Sequence, residues 1–252
     1  MPSSAARDRI PSPPSIHGNM GPPDLADSTF DIPSFLLQLP LFRGLEQEPI
    51  ERLSLSAEER CHARGRTIFR AGEWPTGLFV VVSGVVKEGC FSPDGREKVL
   101  ELLESGQILG DQFLFPDASY SYDAVALTEV RLLHIDKDVI LDLADSHPGF
   151  VGQLLKQLSA RVFGYLRDIE FLTAERYVQR VASYLVSRHN DARTGRNDFF
   201  LPAAKQILAS RLGMTPESLS RNLRDLAESG LIAIMDRRIE VLDLDRLREY
   251  EI

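Results

Sequence analysis

The chain is 252 residues long, with 43% hydrophobic and 26% charged residues, enough for two folded, soluble domains rather than a fibrous or disordered polymer. No apolar run approaches membrane-spanning length and the N-terminus lacks a signal-peptide apolar region, so a cytoplasmic protein with no membrane partner is expected. Cys61 and Cys90 lie outside any CxxC pair; they suit a reducing compartment and cannot alone ligate a four-cysteine cluster.

In chain order, residues 1–30 are rich in Pro, Ser, Gly and Asp and predict a disordered tail, because they cannot bury enough apolar surface to offset the entropy of ordering. Residues 31–136 predict a sensor domain. Short helical patterns carry Phe35, Leu36, Leu39, Leu41 and Phe42, and from Arg64 to Ile135 the pattern becomes one of short strands such as Leu78–Val82, Val85–Lys87 and Lys98–Leu103. Gly72, Gly84, Gly95 and Gly106 punctuate these strands at nearly equal spacing, as in a compact barrel or roll, and Asp94-Gly95 signals a hairpin.

A long helix is expected next, from Lys137 or Pro148, within a segment 137–173. Val151, Leu155, Leu158, Val162, Tyr165, Ile169 and Leu172 alternate at spacings of four and three, a heptad seam suited to a homodimer. A single buried helix shows the same stripe, but Phe150, Leu154, Phe163 and Leu166 offer a second apolar surface to cover the roll.

Residues 174–252 predict a winged helix-turn-helix. A first short helix carries Ile207, Leu208 and Leu212 inward, Gly213 supplies the turn, and Met214 fills the angle between the helices. Thr215 is a good N-cap, Pro216 suits the first helical position, and Glu217 favours the positive helix end. Leu219, Leu223 and Leu226 form one apolar face, leaving Glu217, Ser218, Ser220, Arg221 and Arg224 to face outward. Arg bonds guanine O6 and N7, Glu accepts from cytosine N4, and Ser serves base or phosphate. Lys205 and Thr215 extend this set toward the phosphates, so the expected partner is double-stranded DNA. Ile232 and Ile234, then Ile239 and Val241, form a small hairpin or wing across Asp236, Arg237 and Arg238. An ordinary helical hairpin with a solvated charged face would share part of this pattern, but not the cap, turn glycine, outward polar set and wing in order.

The net charge of −8 is unsuited to DNA until it is divided. From Glu175 to Ile252, 13 Lys+Arg stand against 12 Asp+Glu, leaving 16 against 25 in the rest, so the excess acid lies away from the reading end.

The stretches GEWPTGLFVVVSGVVK from Gly72, SPDGREK from Ser92, SGQILGDQFLF from Ser105 and PESLSRNLRDLAESGLI from Pro216 together resemble the Crp/Fnr family of bacterial transcription regulators over nearly everything after residue 30. The resemblance implies an α+β chain with an N-terminal cyclic-nucleotide-binding-like β-roll, a long dimerisation helix and a C-terminal winged helix-turn-helix. It also implies a homodimer, with RNA polymerase as a further partner and no enzymatic role. Glu217, Ser220 and Arg221 match the E-x-x-S-R pattern of the Fnr-like branch, which implies a TTGAT-N4-ATCAA palindrome; the Crp-like branch has Arg where this chain has Pro216. PAAKQILASRLGMTPESLSR resembles the Dnr-type regulators of nitrate and nitric oxide respiration, whose response is attributed to haem.

For the effector, Ser121 and Tyr122 stand where cyclic-nucleotide members carry their phosphate-binding Arg-Ser pair, and Asp111 replaces the ribose-binding Glu. A buried phosphate without a cationic partner costs several kcal/mol, which disfavours cyclic AMP. The N-terminal cysteines of an Fnr-type iron–sulfur cluster are absent. Haem remains a candidate, with His62 and His189 the first ligands to test. His17 falls in the tail, His134 alternates outward on its strand, and His147 precedes Pro148 as a turn or cap residue. A nucleotide-binding regulatory subunit acting on a protein partner is the competing expectation. No Walker loop, zinc-ligand spacing or nucleophile elbow supports an enzyme.

Overall fold

A computed structural model describes residues 30–251 apart from 93–94, 96, 116, 174–176 and 192–197. The expected tail, with His17, and the Asp94 half of the hairpin signal lie outside the described residues. Helix α1 (Ile32–Gln38) starts at Asp31, whose carboxylate accepts from the Ser34 N–H at 3.2 Å. A 3-10 turn (Pro40–Phe42) leads to α2 (Gln47–Ser56). These pieces bury Phe35, Leu36, Leu41, Phe42, Ile50 and Leu53 against the outer face of the roll.

The roll follows as β1 (Glu58–His62), β2 (Thr67–Phe69), β3 (Gly77–Ser83), β4 (Val86–Phe91), β5 (Glu97–Leu103), β6 (Ile108–Leu109), β7 (Asp123–Ala126) and β8 (Val130–Asp136). They form two antiparallel four-stranded sheets, ordered β1-β8-β3-β6 and β2-β7-β4-β5. All four spaced glycines have positive φ. At Gly84, between β3 and β4, φ is +90° and a Cβ would meet the Glu129 carbonyl oxygen at 2.3 Å, so only glycine fits. Inside the roll Phe69, Phe79, Phe113, Tyr120 and Tyr122 close the space between the sheets. Phe69 and Tyr120 stack at 3.8 Å between ring centroids.

His134 departs from expectation. It is 5% exposed, accepts or donates at 3.0 Å with the Thr76 hydroxyl and packs 4.8 Å from the Phe79 ring. Strand β8 lies between β1 and β3 with both faces covered, so alternation along it moves a side chain between two interiors rather than out to water.

Asp136 caps α3 (Lys137–Ser146) through the Asp138 N–H. His147 closes that helix by donating to the Leu143 carbonyl. The long helix, α4 (Pro148–Thr173), therefore begins at Pro148, a residue suited to a first turn and not to a helix interior. Phe150 and Leu154 are buried against the roll as expected, but Phe163 and Leu166 are 58% and 51% exposed. Their places facing the roll are taken by Gln157, Arg161 and Tyr165, so Tyr165 leaves the expected seam. Leu158 also packs partly on the roll. The apolar stripe left open is Leu155, Val162, Phe163, Leu166 and Ile169; the Leu172 side chain lies outside the description.

The C-terminal part comprises α5 (Tyr177–Asp191), β9 (Asp198–Phe200), α6 (Lys205–Arg211), α7 (Pro216–Glu228), β10 (Ile232–Met235), β11 (Arg238–Val241) and α8 (Leu244–Arg248). Its core joins Leu185 of α5, Leu208 of α6, Leu219, Leu223 and Leu226 of α7, and Ile239 of β11. Leu208 is buried as expected, whereas Ile207 and Leu212 are only half-buried. The wing has a third strand, β9, paired with β11. No helix among the described residues is long and apolar enough to cross a membrane.

Candidate DNA-reading face and the buried charge cluster

Helix α7 is held firmly at its start. Thr215 caps it by accepting from the Ser218 N–H at 3.2 Å, with Pro216 in the first turn, and Gly213 makes the preceding turn at φ +65°. Met214 is 9% exposed and fills the helix angle. With the three leucines inward, Glu217, Arg221 and Arg224 are exposed and Ser218 and Ser220 half-buried beside them. Lys205 and Thr215 are exposed at the starts of α6 and α7. Glu217, Ser220, Arg221 and Arg224 thus lie on the side of α7 away from its buried leucines. The Glu217 carboxyl is held below the usual carboxylate range by its own backbone N–H and by Thr215; it stays an acceptor, as contact with a base amino group requires.

Two cations that position this face were missed in the sequence. Arg180 of α5 is buried, and its guanidinium donates to the carbonyls of Leu212 at 3.4 Å and Gly213 at 3.2 Å, tying the turn to the helix behind it. Lys98 of β5 donates to the carbonyls of Ser210 and Arg211, both at 3.2 Å, satisfying the C-terminal end of α6, where positive charge is favoured. Ser210 completes the junction: its hydroxyl donates to the Glu97 carbonyl at 2.8 Å and accepts from the Val99 N–H at 3.2 Å. Arg188 of α5 pairs with Glu104 at 2.7 Å.

Between the roll and α4 lies a cluster of buried charge. Asp111 is fully buried; one carboxylate oxygen accepts from Gln157 at 2.6 Å and the other faces the Arg161 guanidinium at 3.4 Å. Arg161 also donates to the Gln112 side chain at 2.8 Å and the Ile108 carbonyl at 2.7 Å. Glu88 is fully buried and makes no hydrogen bond of normal geometry. Burial pushes its carboxyl up to about 8; Arg161 opposes the rise, Glu101 and Asp111 add to it, and the nearby Tyr122 hydroxyl tempers it. Tyr165 is raised to about 12, mainly by burial and then by Glu101. Tyr122 is raised too, by burial first and Glu88 second. Of the expected effector residues, Asp111 and Tyr122 belong to this cluster, whereas Ser121 points to solvent. Arg161 is the arginine that the sequence pattern did not locate, arriving from α4 rather than from the roll. It is already engaged, and the surrounding acids outnumber it.

The candidate haem ligands do not converge. His62 ends β1 and His189 lies near the end of α5, both half-buried. His62 is shifted down by burial and then by Arg60, and His189 by burial and then by Arg248. A shallow recess of about 310 Å³ on the roll is lined by Gly65, Arg66, Thr67 and Arg70, and by neither histidine. The roll interior is filled by stacked aromatic rings. The residues present therefore do not fit a haem in this arrangement. Cys61 is exposed on β1 and Cys90 half-buried on β4.

Residues 59–147 match the cyclic nucleotide-binding domain family and residues 179–250 the Crp-like helix-turn-helix domain family. The chain is 27% identical over 210 residues to the CRP-like cAMP-activated global transcriptional regulator of Mycobacterium tuberculosis, covering 82% of this chain and 94% of that protein. It is 29% identical over 210 residues to the cyclic AMP receptor protein of Thermus thermophilus, covering 83% and 95%. In fold it is similar to FixK2 from Bradyrhizobium japonicum, with a TM-score of 0.71 at 19% identity over 78% of this chain and 98% of that one.

Proposed function

Because this chain is a DNA-binding transcription regulator of Crp/Fnr type, we propose that it acts as a homodimer, reads a TTGAT-N4-ATCAA-type palindrome through α7 and answers a signal received between the roll and α4. The observation that carries the reading is the outer face of α7, where Glu217, Ser220 and Arg221 stand free of the buried leucine stripe at a capped helix N-terminus. Two such helices, related by a dyad along the open stripe of α4, would meet successive major grooves of a palindrome. RNA polymerase is the partner such a bound dimer would engage.

The Mycobacterium tuberculosis and Thermus thermophilus relatives are named for cyclic AMP, but this chain's own residues support a different ligand chemistry. An anionic phosphodiester entering there would meet the buried Asp111 carboxylate, with Arg161 already paired with Asp111 and donating to Gln112 and the Ile108 carbonyl. Desolvating such an anion without a free cation is unfavourable. We therefore infer that cyclic AMP is not the signal. Among the described residues, the packed rings inside the roll likewise favour a signal other than nitric oxide bound through haem.

Arg221→Ala tests the assignment. Affinity for the palindrome should fall by about 1–3 kcal/mol with discrimination relaxed at the contacted base, while the protein stays folded and keeps its oligomeric state. Unchanged operator affinity would sink the proposal. A wild-type chain with no affinity for any duplex at low salt would instead favour a regulatory subunit acting on a protein partner.

A further inference from the structure

Strand β5 touches two systems at once. Within the β4–β5 ladder Glu101 stands directly opposite Glu88, and both act on the Arg161 guanidinium. Along the same strand the Glu97 carbonyl, Lys98 and the Val99 N–H hold the end of α6. β5 is also an edge strand, with β4 on one side only; on its other edge the reader's α6 covers it, so its seating depends on both neighbours. The ladder is irregular between Glu88 and Gly89, where an extra backbone step already weakens the pairing.

We propose that β5 is a proton-operated link between the roll's buried acids and the reader: a proton on Glu88 keeps β5 seated with α6 clasped, and its loss loosens both. Ionised Glu88 would be a fully buried carboxylate, tempered by Arg161 and the Tyr122 hydroxyl. It would face Glu101 from β5, Asp111 from the turn after β6, Tyr120 and Tyr122 from the segment before β7, and Arg161 and Tyr165 from α4. Arg161 is the one cation in that group and is shared with Asp111. Like charges directly opposite across a ladder repel, and the movable member is the edge strand. Glu101 lies only two and three residues along β5 from Val99 and Lys98, so separation at Glu101 is carried to the clasp, against the hold of the Lys87–Glu97 ion pair at the start of the strand. The burial-raised carboxyl at about 8 sets the range in which the link operates.

Hydrogen exchange of the full chain, followed by mass spectrometry, tests this without DNA or effector, so its outcome is separate from that of the operator experiment. The peptides spanning 97–103 and 205–211 report the clasp, because the Val99 N–H is bonded to Ser210. Between pH 7 and pH 9 their protection in the parent should fall about tenfold relative to Glu88→Gln at the same pH, a comparison in which the intrinsic exchange rate cancels. Lys98→Ala should loosen both peptides at either pH. If Glu88→Gln does not fold, Glu101→Gln serves, since removing the opposing charge should move the midpoint of the parent's transition to lower pH. Parallel loss of protection in parent and Glu88→Gln, or an unmoved midpoint in Glu101→Gln, would overturn the link.

Discussion

Glu88 concentrates the tension between sequence and structure into one side chain. A glutamate on a strand flanked by Lys87 and Gly89 ordinarily faces water, yet this one is fully buried, and burial raises its carboxyl from 4.5 to about 8. The folded state thus holds a proton that the unfolded chain releases near pH 4.5. Between those values folding takes up a proton, so the Glu88 contribution makes stability fall as pH rises from about 4.5 to about 8. Glu88→Gln should remove that fall. Measured by chemical denaturation, the variant should gain several kcal/mol over the parent between pH 5 and pH 8; an equal difference at both pH values would refute the burial argument. The proposed reading residues behave differently. Thr215, Glu217 and Arg221 were legible because a cap and an outward helix face depend on neighbours within one turn. Arg180 was not, because its partners Leu212 and Gly213 lie beyond its own helix.

Among the elements, α7 matched expectation best and α4 least. A leucine stripe at spacings of four and three has one solution in a short helix on a small domain. Helix α4 offered more apolar positions than one seam can use, and periodicity did not show which of them face the roll. The polar groups decide it: Arg161 and Gln157 must reach Asp111, which rotates Tyr165 inward and leaves Leu155, Val162, Leu166 and Ile169 outward. If that open stripe is the dimer seam, Val162→Asp combined with Ile169→Asp should give a monomer by sedimentation. The roll should stay folded, since both positions are more than half exposed. A double variant that remained dimeric would place the interface elsewhere. Strand β9 escaped the sequence reading because three residues, Asp198–Phe200, give too short an alternation to register; it exists because β11 offers it an edge.

For the whole molecule, the division of charge along the chain matches a reader joined to an acidic sensor, and the two meet at the β5–α6 clasp. The filled roll has a consequence for haem. Insertion would require Phe69 and Tyr120, stacked at 3.8 Å, to part. One equivalent of haem added to the protein should therefore produce no Soret shift that depends on His62 or His189, with or without nitric oxide. A shift abolished by His62→Ala or His189→Ala would instead demonstrate a second arrangement of the roll.

By itself, the sequence determined the order of parts and the capped helix α7, because caps, turn glycines and apolar periodicity act over a few residues and need no knowledge of distant chain. Only the tertiary structure decided what the sensor presents. Gln157 and Asp111 lie 46 positions apart and Lys98 and Ser210 112 apart. Their pairing follows from how helix, roll and reader pack, and no local pattern encodes it. The same packing brings three carboxyl groups to one guanidinium, turning residues that look like solvated charges in the sequence into a buried cluster.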